Sequence, residues 1–138
     1  MQERLDAIEL GADAIYFSGS PHIVEAMAEE GISVSGHVGY VPRWNTCTGV
    51  RSVGMNAEEV VAIYSEVKDL EIAGARLIEM ELVPVEVAVF ETRNTSLIAE
   101  GKGFGSVCDI QYLISCDVLG NLGGRNSLHS KTFADLAT

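Results

Sequence analysis

The sequence predicts an α/β protein with a parallel sheet. Short apolar segments typical of strands alternate with longer segments whose apolar residues recur at helical spacing. Glycine repeatedly ends a helical segment just before the next strand, at Gly11, Gly31 and Gly74. This alternation is typical of strands joined by crossover helices.

The helices follow from their start and stop residues. The first is predicted over 2–10. The second begins at Ser20-Pro21, where serine caps the helix and proline occupies its first position. The clearest helix begins after Asn56, since Glu59 completes a capping-box pattern, and it continues to about Leu70. Shorter helices are predicted over 85–92 and 129–136.

The strands are short and apolar. They are predicted over 14–17, 32–35, 76–83, 95–99 and 111–114. We expect the first four to be parallel neighbours in chain order. The pattern alone does not separate an open sheet from part of a barrel, but in both folds the functional site lies at the carboxyl ends of the strands.

Composition excludes several classes of protein. The 138 residues suit one domain or part of a larger one, and 47% hydrophobic residues suffice for a core. A net charge of −11 is unlike that of a nucleic-acid-binding protein. No apolar run approaches the ~18 residues of a membrane span, and the first residues lack a signal-peptide pattern. Three scattered cysteines favour a cytoplasmic protein with reduced thiols.

Glu79 and Glu81 are the first candidates for catalysis. Strand alternation places both on one face, and a carboxylate in a closed pocket can act as an acid or a base. They could equally be solvated charges at a loop. His37 lies between two glycines, where its imidazole could bond a substrate oxygen or simply the backbone.

Other features carry less weight. The glycines of 101–105 neither follow a first strand nor open a long helix, so a dinucleotide site is not expected. Trp44 could cover a site or contact a partner. Cys47, Cys108 and Cys116 are interpreted as structural or incidental.

Six segments, in order, resemble ketopantoate hydroxymethyltransferase, the family of 3-methyl-2-oxobutanoate hydroxymethyltransferases. Each segment alone is a weak signal, but six in the right order are specific. They are GADAIYFSGS at 11–20, GISVSGHVGYVP at 31–42, LIEMELVP at 77–84, GKGFGSVCDIQ at 101–111, DVLG at 117–120 and KTFADL at 131–136.

The resemblance implies a fold and a reaction. The fold is part of a (β/α)₈ TIM barrel of the phosphoenolpyruvate mutase-like superfamily, roughly strands 4 to 8, as one domain over 1–138. The reaction transfers a hydroxymethyl group from 5,10-methylenetetrahydrofolate to 3-methyl-2-oxobutanoate, which gives 2-dehydropantoate for pantothenate biosynthesis. Mg²⁺ holds the keto acid in this family, and a cytoplasmic homo-oligomer is implied.

The resemblance also assigns residues. The family's catalytic glutamate falls on Glu81 and its substrate-binding histidine on His37. Its substrate-binding lysine falls on Tyr16, and its metal-ligating glutamate falls on Ser18. Tyrosine carries no positive charge at neutral pH and serine is a poor ligand for a hard cation, so we expect an incomplete metal site.

These departures leave three hypotheses open. The first is a hydroxymethyltransferase, or its C-terminal part, because a full barrel needs ~250 residues. The second is a truncated, non-catalytic paralogue that acts by assembly or by keto-acid binding. The third is a related keto-acid lyase with altered metal use. We expect negligible turnover of 3-methyl-2-oxobutanoate by the chain alone.

Overall fold

Five strands form one parallel sheet in the order of the chain. The structure is a computed structural model, and it describes residues 1–42, 49–102, 107–120 and 131–136. The strands are β1 (Ile15–Tyr16), β2 (Val34–Gly39), β3 (Leu77–Glu81), β4 (Ile98–Lys102) and β5 (Ile110–Gln111). Every neighbouring pair is parallel. The predicted α/β class and the order of the first four strands are confirmed.

Helices occupy most of the connections between the strands. They are α1 (Gln2–Glu9), α2 (Pro21–Glu29), α3 (Ala57–Ile72), α4 (Val85–Asn94) and α5 (Ser115–Leu119). The described residues contain no helix that is long and apolar enough to cross a membrane.

The core lies between the helices and one face of the sheet. Alternate strand residues point into it, and they pack against apolar residues of α2, α3 and α4. These strand residues are Val34, Val38, Ile78, Met80 and Ala99. The opposite face, called the inner face below, carries the alternating partners of these residues and is mostly polar.

The helix signals in the sequence work well at α3. Asn56 caps it, since its side chain accepts a hydrogen bond from the Glu59 amide at 2.9 Å. The Glu59 carboxylate does not accept a hydrogen bond from the Asn56 amide, as a capping box would require. It accepts instead from the amides of Gly54 and Met55, at 2.8 and 2.9 Å, and so holds the preceding loop.

Two predictions near the C-terminal end are wrong, and one helix was not predicted. The last described strand is Ile110–Gln111 rather than 111–114, and the unpredicted helix is α5. The helix over 129–136 is absent from its described part, 131–136. There the backbone bonds to α5 instead: Phe133 donates to the Val118 carbonyl at 2.8 Å and Leu136 to that of Leu119 at 3.1 Å.

The strand over 95–99 is displaced along the chain. β4 begins at Ile98 and continues to Lys102, because pairing with Leu77–Glu81 and burial of Ala99 fix its register. Gly101 therefore belongs to a strand rather than to a loop. Trp44, Cys47 and the glycines at 103 and 105 lie outside the described residues.

Candidate active site

The inner face places polar side chains at matching levels on three adjacent strands. His37 on β2 pairs in register with Glu79 on β3, and Gly39 with Glu81. Glu81 in turn pairs with Lys102 on β4. The four side chains of this polar row, His37, Glu79, Glu81 and Lys102, are all buried. Buried charged groups are rare unless they are paired, so the row invites a functional interpretation.

Glu81 and Lys102 form a buried ion pair. The ammonium of Lys102 lies 2.8 Å from Oε1 of Glu81, and these residues are 6% and 3% exposed. Burial alone would raise the pKa of the Glu81 carboxyl, but the polar contacts with His37 and Lys102 outweigh it, so that pKa lies below its ordinary value. Glu81 is therefore ionised at neutral pH.

Tyr16 orients the imidazole of His37. The Tyr16 hydroxyl is hydrogen-bonded to Nδ1 of His37. Burial is the main cause that raises the pKa of the Tyr16 hydroxyl, and the nearby Glu79 carboxyl adds to it, so the hydroxyl stays protonated. Nε2 of His37 lies 3.4 Å from Oε2 of Glu81 and has no well-formed hydrogen bond among the described residues.

The pKa values of Glu79 and Glu81 are shifted in opposite directions. Burial is the main cause that raises the pKa of Glu79, and it outweighs the charges of His37 and Lys102. Oε2 of Glu79 lies 4.0 Å from Nδ1 of His37. Neighbouring carboxyl groups with divergent pKa values are typical of acid–base sites. The row thus holds one carboxyl group whose pKa is lowered, Glu81, beside one whose pKa is raised, Glu79.

Ser18 lies beside this row, at a cavity near the ends of β1 and β2. The cavity has a volume of about 460 Å³ and also borders His37, Gly39 and residues of α2 and α3. Of the four residues to which the resemblance assigns roles, Tyr16, His37 and Glu81 are in one network. Ser18 lines the same cavity as His37. This space is large enough for a small organic acid.

The described residues do not fit Mg²⁺. One ligand atom from each of His37, Glu79 and Glu81 can lie within 4.8 Å of the others. However, Lys102 already holds Oε1 of Glu81, Ser18 is neutral, and Mg²⁺ requires near-octahedral coordination by oxygen. We assign no step of a reaction to the metal.

The sequence pattern did not mark Lys102 as a residue of the site. The predicted strand stopped at Ala99, so Lys102 was treated as part of a glycine-rich loop. Alternation along a strand continued by three residues would have placed Glu100 and Lys102 on one face. That was the signal available.

Comparison with known proteins agrees with the resemblance seen in the sequence. The family model described as ketopantoate hydroxymethyltransferase matches residues 3–138. Proteins named 3-methyl-2-oxobutanoate hydroxymethyltransferase are similar to this chain. The one from Gluconacetobacter diazotrophicus is 34% identical over 94% of this chain and 48% of its own length. The one from Pyrobaculum islandicum is 37% identical over 94% of this chain and 51% of its own length.

The match extends over nearly all of this chain, but the chain spans only about half the length of the curated relatives that it matches. The family model covers almost every residue, from position 3 to position 138. The chain therefore belongs to the ketopantoate hydroxymethyltransferase family.

Proposed function

We propose that this chain carries the proton-transfer side of a 3-methyl-2-oxobutanoate hydroxymethyltransferase site. The 2-keto acid would bind against the inner face, at the carboxyl ends of the strands. Five parallel strands in chain order, with helices between most of them, support part of a (β/α)₈ barrel, roughly its strands 4 to 8. The names of the relatives support the substrate.

Glu81 is the proposed base. The observation that carries this role is a buried carboxylate, ionised at neutral pH, on the polar face of the sheet. It would take the proton from C3 of the keto acid. The electrons of the C–H bond then form the C2–C3 double bond, and the carbonyl oxygen becomes an enolate. C3 of the enolate would then form a C–C bond to the one-carbon unit of 5,10-methylenetetrahydrofolate. Overall, both C–N bonds of that unit would break, one water would supply the hydroxyl group, and the protons from water and Glu81 would go to the two folate nitrogens. Tetrahydrofolate would leave and 2-dehydropantoate would remain.

His37 and Tyr16 would hold the substrate. Nε2 of His37 is buried without a well-formed hydrogen bond among the described residues, and in the tautomer that is protonated there it would donate to a substrate oxygen. Tyr16 fixes the direction of that donor through Nδ1. Such preorganised donors act without reorganisation during the reaction.

Deuterium exchange at C3 of 3-methyl-2-oxobutanoate tests this proposal, because it isolates proton abstraction from the later transfer. The exchange is followed by NMR in deuterated buffer, with and without magnesium. We expect exchange by the chain and a loss of about 100-fold or more in Glu81→Gln. Glu86→Gln, which changes an exposed glutamate of α4, is the matched control and should exchange at the rate of the unmodified chain.

Two outcomes would contradict the proposal. Exchange that persists in Glu81→Gln would remove Glu81 from the role of base. Binding of the keto acid without exchange under any condition would favour the non-catalytic paralogue. Complete hydroxymethyl transfer by the chain alone is still expected to be negligible, since Tyr16 and Ser18 replace charged residues of the family.

A further inference from the structure

We propose that Lys102 supplies the fixed positive charge that stabilises the enolate oxygen, in place of a divalent metal ion. This inference rests on the proposed function, because it concerns the same proton abstraction by Glu81. The proposal adds a catalytic residue on β4, and it makes abstraction of the C3 proton independent of a metal ion.

Lys102 has the capacity to bind an anionic ligand. An ammonium has three protons, and in the described part of the chain only one of them has a hydrogen-bond partner, Oε1 of Glu81. The residue is nevertheless buried. Its Nζ also lies 5.7 Å from the centre of the Tyr112 ring, a distance at which an aromatic face attracts a cation. A buried ammonium with two donors that have no partner among the described residues is well suited to a substrate oxygen.

Because of the ion pair, the positive charge of Lys102 stabilises the transition state more than it stabilises the bound substrate. In the resting site Lys102 is balanced by the ionised Glu81. When Glu81 accepts the C3 proton, its carboxyl becomes neutral and Lys102 loses that partner. The enolate oxygen develops its negative charge in the same step. Lys102 therefore gains a new partner as it loses the old one, and an interaction that strengthens in the transition state lowers the barrier.

Lys102 also competes with a metal for the same carboxylate. A divalent ion bound by His37, Glu79 and Glu81 would come close to the ammonium at Oε1 of Glu81. Two cations at that distance in a buried site repel each other strongly. A metal and the resting position of Lys102 are therefore alternatives.

The first arm of the test needs no variant. C3 exchange by the unmodified chain is measured after treatment with EDTA and then with added Mg²⁺ or Mn²⁺. We expect the rate to be the same in EDTA, and added metal to leave it unchanged or lower it. Exchange abolished by EDTA and restored by Mg²⁺ would overturn the role of Lys102 and leave Glu81 as the base. No exchange under any condition would instead contradict the proposed function itself.

The second arm removes the charge. Lys102→Met should lower the exchange rate by about 100-fold or more, the size of effect seen when one preorganised donor is removed. Lys131→Met, at an exposed lysine, should leave the rate unchanged, and Lys102→Arg should recover part of the loss. Circular dichroism and thermal unfolding verify that each variant folds. Exchange by a folded Lys102→Met at the original rate would overturn the inference.

A covalent role for Lys102 is tested with borohydride. A nucleophilic lysine would form an imine with the keto acid and lose water, and reduction would leave a permanent adduct detectable by mass spectrometry. We expect no adduct, because Nζ of Lys102 is held at 2.8 Å from the Glu81 carboxylate rather than presented to a carbonyl carbon. A keto-acid-dependent adduct at Lys102 would overturn the electrostatic role.

Discussion

Gly39 and Glu81 approach each other so closely that a Cβ on Gly39 would lie 2.4 Å from the carbonyl oxygen of Glu81. Gly39 has a φ of 83°, a conformation that residues with side chains rarely adopt. The next residue, Tyr40, donates its amide to the same carbonyl at 2.8 Å. The backbone of the proposed base is therefore positioned by a glycine on the neighbouring strand.

Gly39→Ala should both destabilise the chain and displace Glu81. The clash with the Glu81 carbonyl adds to the backbone strain of a positive φ. Gly31→Ala is the matched control, since Gly31 has a φ of 77° but an added Cβ would meet nothing within 4 Å. Gly31→Ala should lower the free energy of unfolding only through backbone strain, by about 1–2 kcal/mol. Urea unfolding should show a clearly larger loss for Gly39→Ala. Equal losses would show that the close approach is unimportant.

The cap of α3 should contribute measurably to stability. Asn56→Ala removes the acceptor for the Glu59 amide at the start of a 16-residue helix. We expect a loss of about 1 kcal/mol in the free energy of unfolding, and a much smaller loss for Asn56→Asp, which keeps an acceptor. Chemical denaturation of the two variants measures the difference. Equal stability of Asn56→Ala and the unmodified chain would contradict the assignment of the cap.

Glu91 is a buried carboxyl without a hydrogen-bond partner among the described residues. It lies on α4, is 1% exposed, and neither of its carboxyl oxygens is bonded. Burial raises its pKa from 4.5 to about 7, and the charge of Lys68 only partly offsets this. The folded chain thus retains a proton that the unfolded chain releases.

This proton makes stability depend on pH. Because the pKa of Glu91 is higher in the folded state, its contribution to stability is lost as pH rises from about 4.5 to about 7. Glu91→Gln should remove that part of the pH dependence and make the chain more stable at pH 8, by about 3 kcal/mol for a shift of this size. Thermal unfolding over pH 5–8 gives the comparison, with Glu86→Gln on the same helix as control. Parallel pH profiles for Glu91→Gln and the unmodified chain would contradict the prediction.

The chain should self-associate. In the described structure the sheet ends at β1 and β5, and exposed sheet edges tend to pair with other chains. Exposed apolar side chains on the helices, such as Val61, Tyr64 and Phe90, add to this tendency. Sedimentation at micromolar concentration should show oligomers. A stable, compact monomer would argue against assembly.

The regular central elements could be predicted from the sequence because local signals and tertiary packing agree there. Asn56 and Gly74 bound one long helix, and apolar alternation over 76–83 marks the central strand. The structure after residue 100 was mispredicted because it depends on contacts with other segments of the chain. Gly101 is in a strand because β3 and β5 pair with it, and 131–136 bonds to the carbonyls of α5 instead of forming a helix.

The candidate site was predictable in part for the same reason. Strand alternation placed Glu79 and Glu81 on one face, and family resemblance marked His37 and Tyr16. The ion pair with Lys102 depends on the register between β3 and β4, which no local pattern reveals. The opposite pKa shifts of Glu79 and Glu81 also depend on neighbours that only the folded chain supplies.

The register across β2, β3 and β4 has a consequence for how such a protein can diverge. Parallel strands keep their Cα atoms at a spacing of about 4.8 Å whatever side chains they carry. A charge can therefore disappear from one strand and arise on another by single substitutions, while the backbone that surrounds the ligand is preserved. On the inner face, Tyr16 is neutral at the position to which the resemblance assigns a lysine, whereas Lys102 on β4 carries a charge. Proteins that share these strands can differ in metal requirement and in substrate without any change of fold.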